Sequence, residues 1–203
     1  VYTMRRDLLM GFEGDSPEEQ NANQRDYILS LAEDLLEGLV EQFMPKEQHP
    51  DEWDLRGFKE QLRLIFAFDP EAEGVRLSGI NPTDAREVIW EKLEAKYAEK
   101  EVQLGIDSMR NLERYIMLNI VDSQWKDHLL ALDHLKEGIN LRGYAQKDPL
   151  VEYKRESFGL FEAMNERITT ETVRYLFNFQ VQVTAPVEQQ LLEGRRRQRR
   201  GRV

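Results

Sequence analysis

Apolar positions recur every three or four residues along most of the chain, and each run is fenced by proline, glycine or a capping residue. That period is the signature of helices that bury one face. Residues 1–10 read as the end of a helix closed by Gly11 and Gly14. Ser16, Pro17 and Glu19 then predict a helix start with Ser16 as N-cap, Pro17 at N1 and a capping box completed by Glu19. Ile28, Leu31, Leu35, Leu39 and Phe43 form its stripe, and Pro45 and Pro50 stop it. A shorter helix follows from about Leu55 to Phe66, with Leu55, Phe58, Leu62 and Ile65 on one face. Residues 69–82 read as a loop. Asn81 or Thr83 restarts a helix carrying Val88, Ile89, Leu93 and Tyr97, and Gly105 predicts a kink or break.

Beyond Gly105 the pattern sharpens. Leu118, Val121, Trp125, His128, Leu132, Leu135 and Ile139 alternate spacings of three and four, a seam that packs against a partner helix. The rhythm returns after residue 149 in Leu150, Tyr153, Ser157, Leu160 and Met164, with Phe158, Phe161, Ile168, Tyr175 and Phe179 alongside. Asp148 is placed to cap that second helix with Pro149 at N1, but Val151 at N3 makes no capping box. Two long stripes joined by about ten residues predict an antiparallel hairpin. The segment 180–184 alternates over a span too short for more than an edge strand. Pro186 onward is polar and reads as disordered. The fold class is all-α: a helical subdomain, a long two-helix hairpin and a basic tail.

Charge changes this picture at one end only. The 203 residues carry a formal net charge of −10, yet Arg195, Arg196, Arg197, Arg199, Arg200 and Arg202 stand together with no acid after Glu193. Without those six arginines residues 1–194 carry −16, a field that opposes binding to duplex DNA. The tail itself reads either as a tether for RNA or an anionic membrane surface or as a solvated end. Cysteine is absent, which excludes disulfides and thiolate zinc sites. No apolar run approaches the roughly 20 residues of a membrane-spanning helix. Val1-Tyr2-Thr3-Met4 begins in mid-pattern, as a piece of a longer chain would.

Catalytic chemistry finds no support. There is no GxxxxGK[ST] phosphate loop, no GxGxxG and no HExxH. His128 and His134 are six apart and fall on different helix faces, so the expectation for His128 is a seam residue with a hydrogen-bonded ring. Trp125 reads as core. No catalytic residue and no metal site is assigned, and the chain alone is expected to have no enzymatic activity.

The connection between the two stripes reads NLRGYAQKDP, residues 140–149. A helix-to-helix turn needs a glycine and a few polar residues. Here Arg142, Tyr144, Gln146 and Lys147 stand at a hairpin end that has no core to bury them in. Tyrosine supplies a broad rigid contact surface and arginine a planar fork of donors, the chemistry of recognition surfaces.

From Val121-Asp122-Ser123-Gln124-Trp125-Lys126-Asp127-His128 through Leu141-Arg142-Gly143-Tyr144-Ala145-Gln146-Lys147-Asp148-Pro149 to Glu152-Tyr153-Lys154-Arg155-Glu156-Ser157-Phe158, the sequence resembles SecA, the bacterial preprotein translocase ATPase family. The likeness is dense across residues 105–180 and looser across 12–104. It implies that residues 1–11 end the long scaffold helix and that 12–104 form the helical wing domain. Residues 105–183 would form the two-helix finger that also restrains the ATPase, and 184–203 would open the C-terminal linker. It further implies that Leu141, Arg142, Gly143, Tyr144, Ala145, Gln146 and Lys147 form a tip that meets unfolded preprotein and the SecYEG channel. Arg114, Asp122, Lys126 and Asp133 would dock the motor domains. ATP and Mg belong to those motor domains and are assigned to no residue here. The implied location is cytoplasmic, peripheral to the inner membrane; no specific nucleic acid is expected. The alternative is a free-standing helical interaction protein that oligomerises through its seam, with the arginine tail as its tether.

Overall fold

The computed structural model describes residues 2–142 and 148–180. Among these the secondary structure is helical throughout, in the order α1 (Tyr2–Met10), α2 (Pro17–Phe43), α3 (Leu55–Phe66), α4 (Pro82–Leu104), α5 (Ile106–Arg142) and α6 (Pro149–Asn178), with a single 3-10 turn at Pro50–Glu52. The all-α expectation holds. Of the segment 180–184 expected at most to be an edge strand, residues 181–184 lie outside the described residues, as does the tail beyond them.

Local sequence fixes each boundary. Gly11 takes φ +92° after α1. Ser16 Oγ accepts from the Glu19 backbone N–H at 3.2 Å, as an N-cap should. The reciprocal half of the expected box is shifted by one residue, because Glu19 Oε2 accepts from Asp15 N–H at 2.8 Å and not from Ser16. Asp54, Asn81 and Asp148 cap α3, α4 and α6 in the same way. Gly105, at φ +81°, breaks the chain cleanly between α4 and α5, and a side chain there would be strained.

The helices enclose one continuous core. Ile28, Ala32 and Leu36 of α2, Phe58 and Leu62 of α3, and Ile89, Leu93 and Tyr97 of α4 are each sealed from solvent. The α2 stripe sits slightly around the helix from its expected line: Leu31 and Leu35 are half-buried, while Ala32, Leu36 and Val40 lie deepest. The expected loop is also part of the core, since Val75 and Leu77 are buried, as is Phe68 just before it. Val88 is exposed, on the outer side of α4.

Helices α5 and α6 run antiparallel and are in contact along their length, α3 and α2 pack on α6, and α1, α2 and α4 pack on α5. At 1.5 Å per residue, the 37 residues of α5 extend about 55 Å. Burial fades along this hairpin. Met109, Met117, Ile120 and Val121 of α5 and Met164, Ile168, Val173 and Leu176 of α6 are buried where the other helices surround them. Past His128, Ile139 is the one buried α5 residue among those described. Among the described residues, the outer half is therefore two helices packed mainly on each other.

Candidate functional site

The seam of the hairpin follows the expected rhythm on α5. Val121, His128 and Ile139 are buried, and Leu118, Trp125, Leu132 and Leu135 are half-buried. On α6 the buried line runs through Met164 and Ile168, continued outward by half-buried Leu160, Ser157 and Tyr153. Phe158 is not in this seam: it is 60% exposed. It follows Ser157 by one residue, and one residue turns a helix by 100°. Phe161, next to Leu160, is displaced the same way and lies at the seam's edge, 37% exposed with its ring 5.9 Å from that of His128. Farther out, Ala131, His134, Leu135, Glu156, Gly159 and Leu160 line an open groove of about 500 Å³. A Cβ built on the exposed Gly159 would meet nothing within 4 Å, so this groove opens to solvent.

Polar rungs cross the seam next to the core. Gln124 donates to Glu171 Oε2 at 3.2 Å, and its own Oε1 accepts from Arg167 Nε at 2.9 Å. The His128 ring lies tilted against that of Trp125, with centroids 5.5 Å apart. The His128 ring was expected to be hydrogen-bonded, but its Nδ1 is buried without a partner. Burial first, and the nearby Arg167 charge second, hold the imidazole below its ordinary pKa and favour the neutral ring.

The root of the hairpin holds a buried ionic cluster that the sequence pattern does not announce. Arg110 and Glu113 of α5 are 1% and 0% exposed and pair at 2.9 Å. Glu113 also accepts from Gln24 Nε2 at 2.6 Å and from the Tyr97 hydroxyl. Arg110 also pairs with Glu101 and donates to the Asn21 carbonyl at 3.2 Å. Arg25 Nε holds the other oxygen of Glu101 at 3.0 Å. Helices α2, α4 and α5 thus share one polar knot. Burial pushes the Glu113 carboxyl up, with Arg110 pulling the other way, and burial next to that carboxylate pushes the Tyr97 phenol well up. The buried line of α5 steps back from Val121 through Met117 to Glu113 and Arg110, whereas the seam's alternating spacing continues to Leu118, Arg114 and Asn111, so the periodicity carried no signal for the cluster.

The proposed docking residues are spread along α5. Asp122 accepts from Arg5 of α1 at 2.7 Å, Arg114 donates to Asn111 at 2.7 Å, and Lys126 and Asp133 are exposed. At the far end the connection is shorter than expected, because α5 continues through Arg142 and α6 begins at Pro149. The side chains of Leu141 and Arg142, and the whole of Gly143, Tyr144, Ala145, Gln146 and Lys147, lie outside the described residues. Among the described residues no His, Asp or Glu cluster converges as metal ligands do, and no helix is long and apolar enough to cross a membrane.

A long hairpin rooted by a polar knot in a compact helical subdomain defines a helical scaffold module. The SecA Wing and Scaffold domain family model matches residues 1–180. The chain is 45% identical over 182 residues to the protein translocase subunit SecA of Koribacter versatilis, covering 89% of this chain and 17% of that protein. It is 39% identical over 198 residues to the protein translocase subunit SecA of Syntrophobacter fumaroxidans, covering 98% and 22%, and 36% identical over 192 residues to that of Pseudomonas putida, covering 94% and 20%. The chain belongs to the SecA family. It spans about a fifth of the length of these curated relatives.

Proposed function

We propose that this chain is the non-catalytic wing-and-finger part of a protein-export motor, and that α5 and α6 form the arm through which the motor acts on its substrate. In this reading residues 1–11 end the scaffold's long helix, 12–104 are the wing, 105–183 the finger and 184–203 the start of a linker. The tip, Leu141 to Lys147, meets unfolded preprotein at the cytoplasmic mouth of the SecYEG channel. Tyr144 offers a broad surface that grips varied sequences with little preference. Arg142 and Lys147 face acidic or carbonyl groups there. The protein would act in the cytoplasm, on the inner face of the membrane, and ATP and Mg would be handled by the motor domains.

The observation that carries this reading is the burial gradient of the hairpin. Its root is locked among α1, α2, α3 and α4, while its outer half is a free two-helix prong. Movement at the root therefore reaches the tip. The test is Tyr144→Ala in a full-length translocase subunit carrying this segment. Translocation should fall with helicity unchanged; unchanged translocation would overturn the tip assignment. The same helices would also restrain the ATPase, docking through Arg114, Asp122, Lys126 and Asp133. Adding the 203-residue chain to a motor that lacks it should lower basal hydrolysis, and no drop would count against that role.

A further inference from the structure

Both legs of the hairpin end on the same turn of α4. Tyr97, Lys100 and Glu101 are three and four residues apart, which puts them on one helical face. Tyr97 and Glu101 hold α5, through Glu113 and Arg110 respectively. Lys100 holds α6: its Nζ donates to the Leu176 carbonyl at 3.1 Å and to the Phe177 carbonyl. These are among the last carbonyls of α6, which have no partner within their own helix. A cation there also answers the negative end of the helix dipole. The Phe177 ring packs against Tyr97 at 5.4 Å and edge-on against Phe66 of α3 at 5.3 Å. Asn178 completes the arrangement by donating to the Leu64 and Ile65 carbonyls of α3, at 3.1 and 3.0 Å. The C-terminal carbonyls of α6 and of α3 are thus each met by a side chain from another helix.

We infer that the Tyr97–Glu101 turn of α4 is the anchor that fixes the two legs of the hairpin relative to each other, with Lys100 as the positioning residue for α6. The wing is then a working part of the arm. It prevents α6 from sliding along α5 when the tip is loaded, a motion that the sparsely buried outer half resists less. The functional side of this inference rests on the export-arm reading, but the anchor itself is a property of the isolated chain.

Lys100→Met tests it, with Lys100→Arg as the conservative variant and Lys92→Met as a control elsewhere on α4. Amide hydrogen exchange over residues 173–179 should accelerate at least about tenfold in Lys100→Met, the floor expected for losing the charge-assisted bonds to the Leu176 and Phe177 carbonyls. Exchange in α2 and α3 should stay as in the parent. The chain has no cysteine, so spin labels at Asp127→Cys and Glu162→Cys report the spacing of the legs directly. That distance distribution should widen in Lys100→Met and keep its width in Lys100→Arg and Lys92→Met. Unchanged exchange and an unchanged distribution would overturn the anchor. So would acceleration spread evenly over α2 and α4, since Lys100 would then support the core and not α6. Asn178→Ala, which removes the tie to α3 together with a bond to the Arg174 carbonyl of α6 itself, should give the same local signature and guards against a folding defect at Lys100. If the anchor signature appears but full-length Lys100→Met translocates normally, the anchor stands and the export-arm reading fails.

Discussion

Replacing Arg110 by Met removes a buried cation while keeping most of its stem. Glu113, fully buried, would retain Tyr97 and Gln24 as donors but lose its charge partner at 2.9 Å. Breaking a buried pair by deleting one member typically costs about 3–5 kcal/mol. Here an upper limit follows from proton uptake. A carboxyl with an ordinary pKa of 4.5 is neutralised at pH 7 for 2.5 pH units at about 1.4 kcal/mol each, or about 3.4 kcal/mol. Glu113 already lies above that ordinary value because of burial, which lowers the limit further. The expected loss is therefore about 3 kcal/mol at pH 7, shrinking to about 1 kcal/mol or less at pH 5. For a chain of this size that is roughly 6–12 °C in Tm at neutral pH. Glu101 retains Arg25 and adds little. Urea unfolding at the two pH values measures both numbers, and Arg110→Met/Glu113→Gln should recover part of the loss by removing the stranded charge. A loss below about 1 kcal/mol at both pH values, or one that does not shrink on acidification, would refute this reasoning.

Two further predictions concern titration. Burial pulls the Lys100 ammonium down to about 8 from 10.5, so between those values the unfolded chain binds more protons than the folded one. The carbonyl bonds thus recover only part of the cost of burying this charge, and relative to Lys100→Met the parent should gain up to about 1 kcal/mol per unit as pH rises from 8 to 10.5 and lose that gain as pH falls back to 8. Parallel pH profiles for the two proteins would show that Lys100 is not held as described. His128 has a folded pKa below 6.5, so its contribution is present above pH 6.5 and lost as pH falls through the folded value. Acidification should loosen the parent's hairpin, seen as faster amide exchange around residues 121–132, more than that of His128→Leu; equal acid sensitivity would count against the buried neutral ring.

The fold was readable wherever a local rule decides the outcome. Ser16, Asn81, Asp148 and Gly105 announced their helix ends because capping and positive φ depend on a few consecutive residues. The α5 seam was readable because its spacing persists over many turns. The α6 seam was only half readable. Phe158 and Phe161 are large and apolar, yet each stands one residue past the buried line, and hydrophobicity alone does not say which of two adjacent residues faces the partner. The root of the arm was the least legible part. Arg110, Glu113, Tyr97 and Gln24 are distant in sequence, and only packing reveals that their charges and hydroxyl converge. Lys100 and Asn178 look like ordinary surface residues until their helices meet.

The claim that the hairpin is the substrate-contacting arm is tested most directly by photo-crosslinking during translocation. A photoreactive residue would replace Tyr144 in a full-length translocase subunit carrying this segment. Parallel proteins would carry it at Val102 and Tyr115, which are 85% and 68% exposed near the root. The account predicts adducts to a translocating preprotein from position 144 and none from 102 or 115. Adducts from the root positions with none from 144 would contradict it.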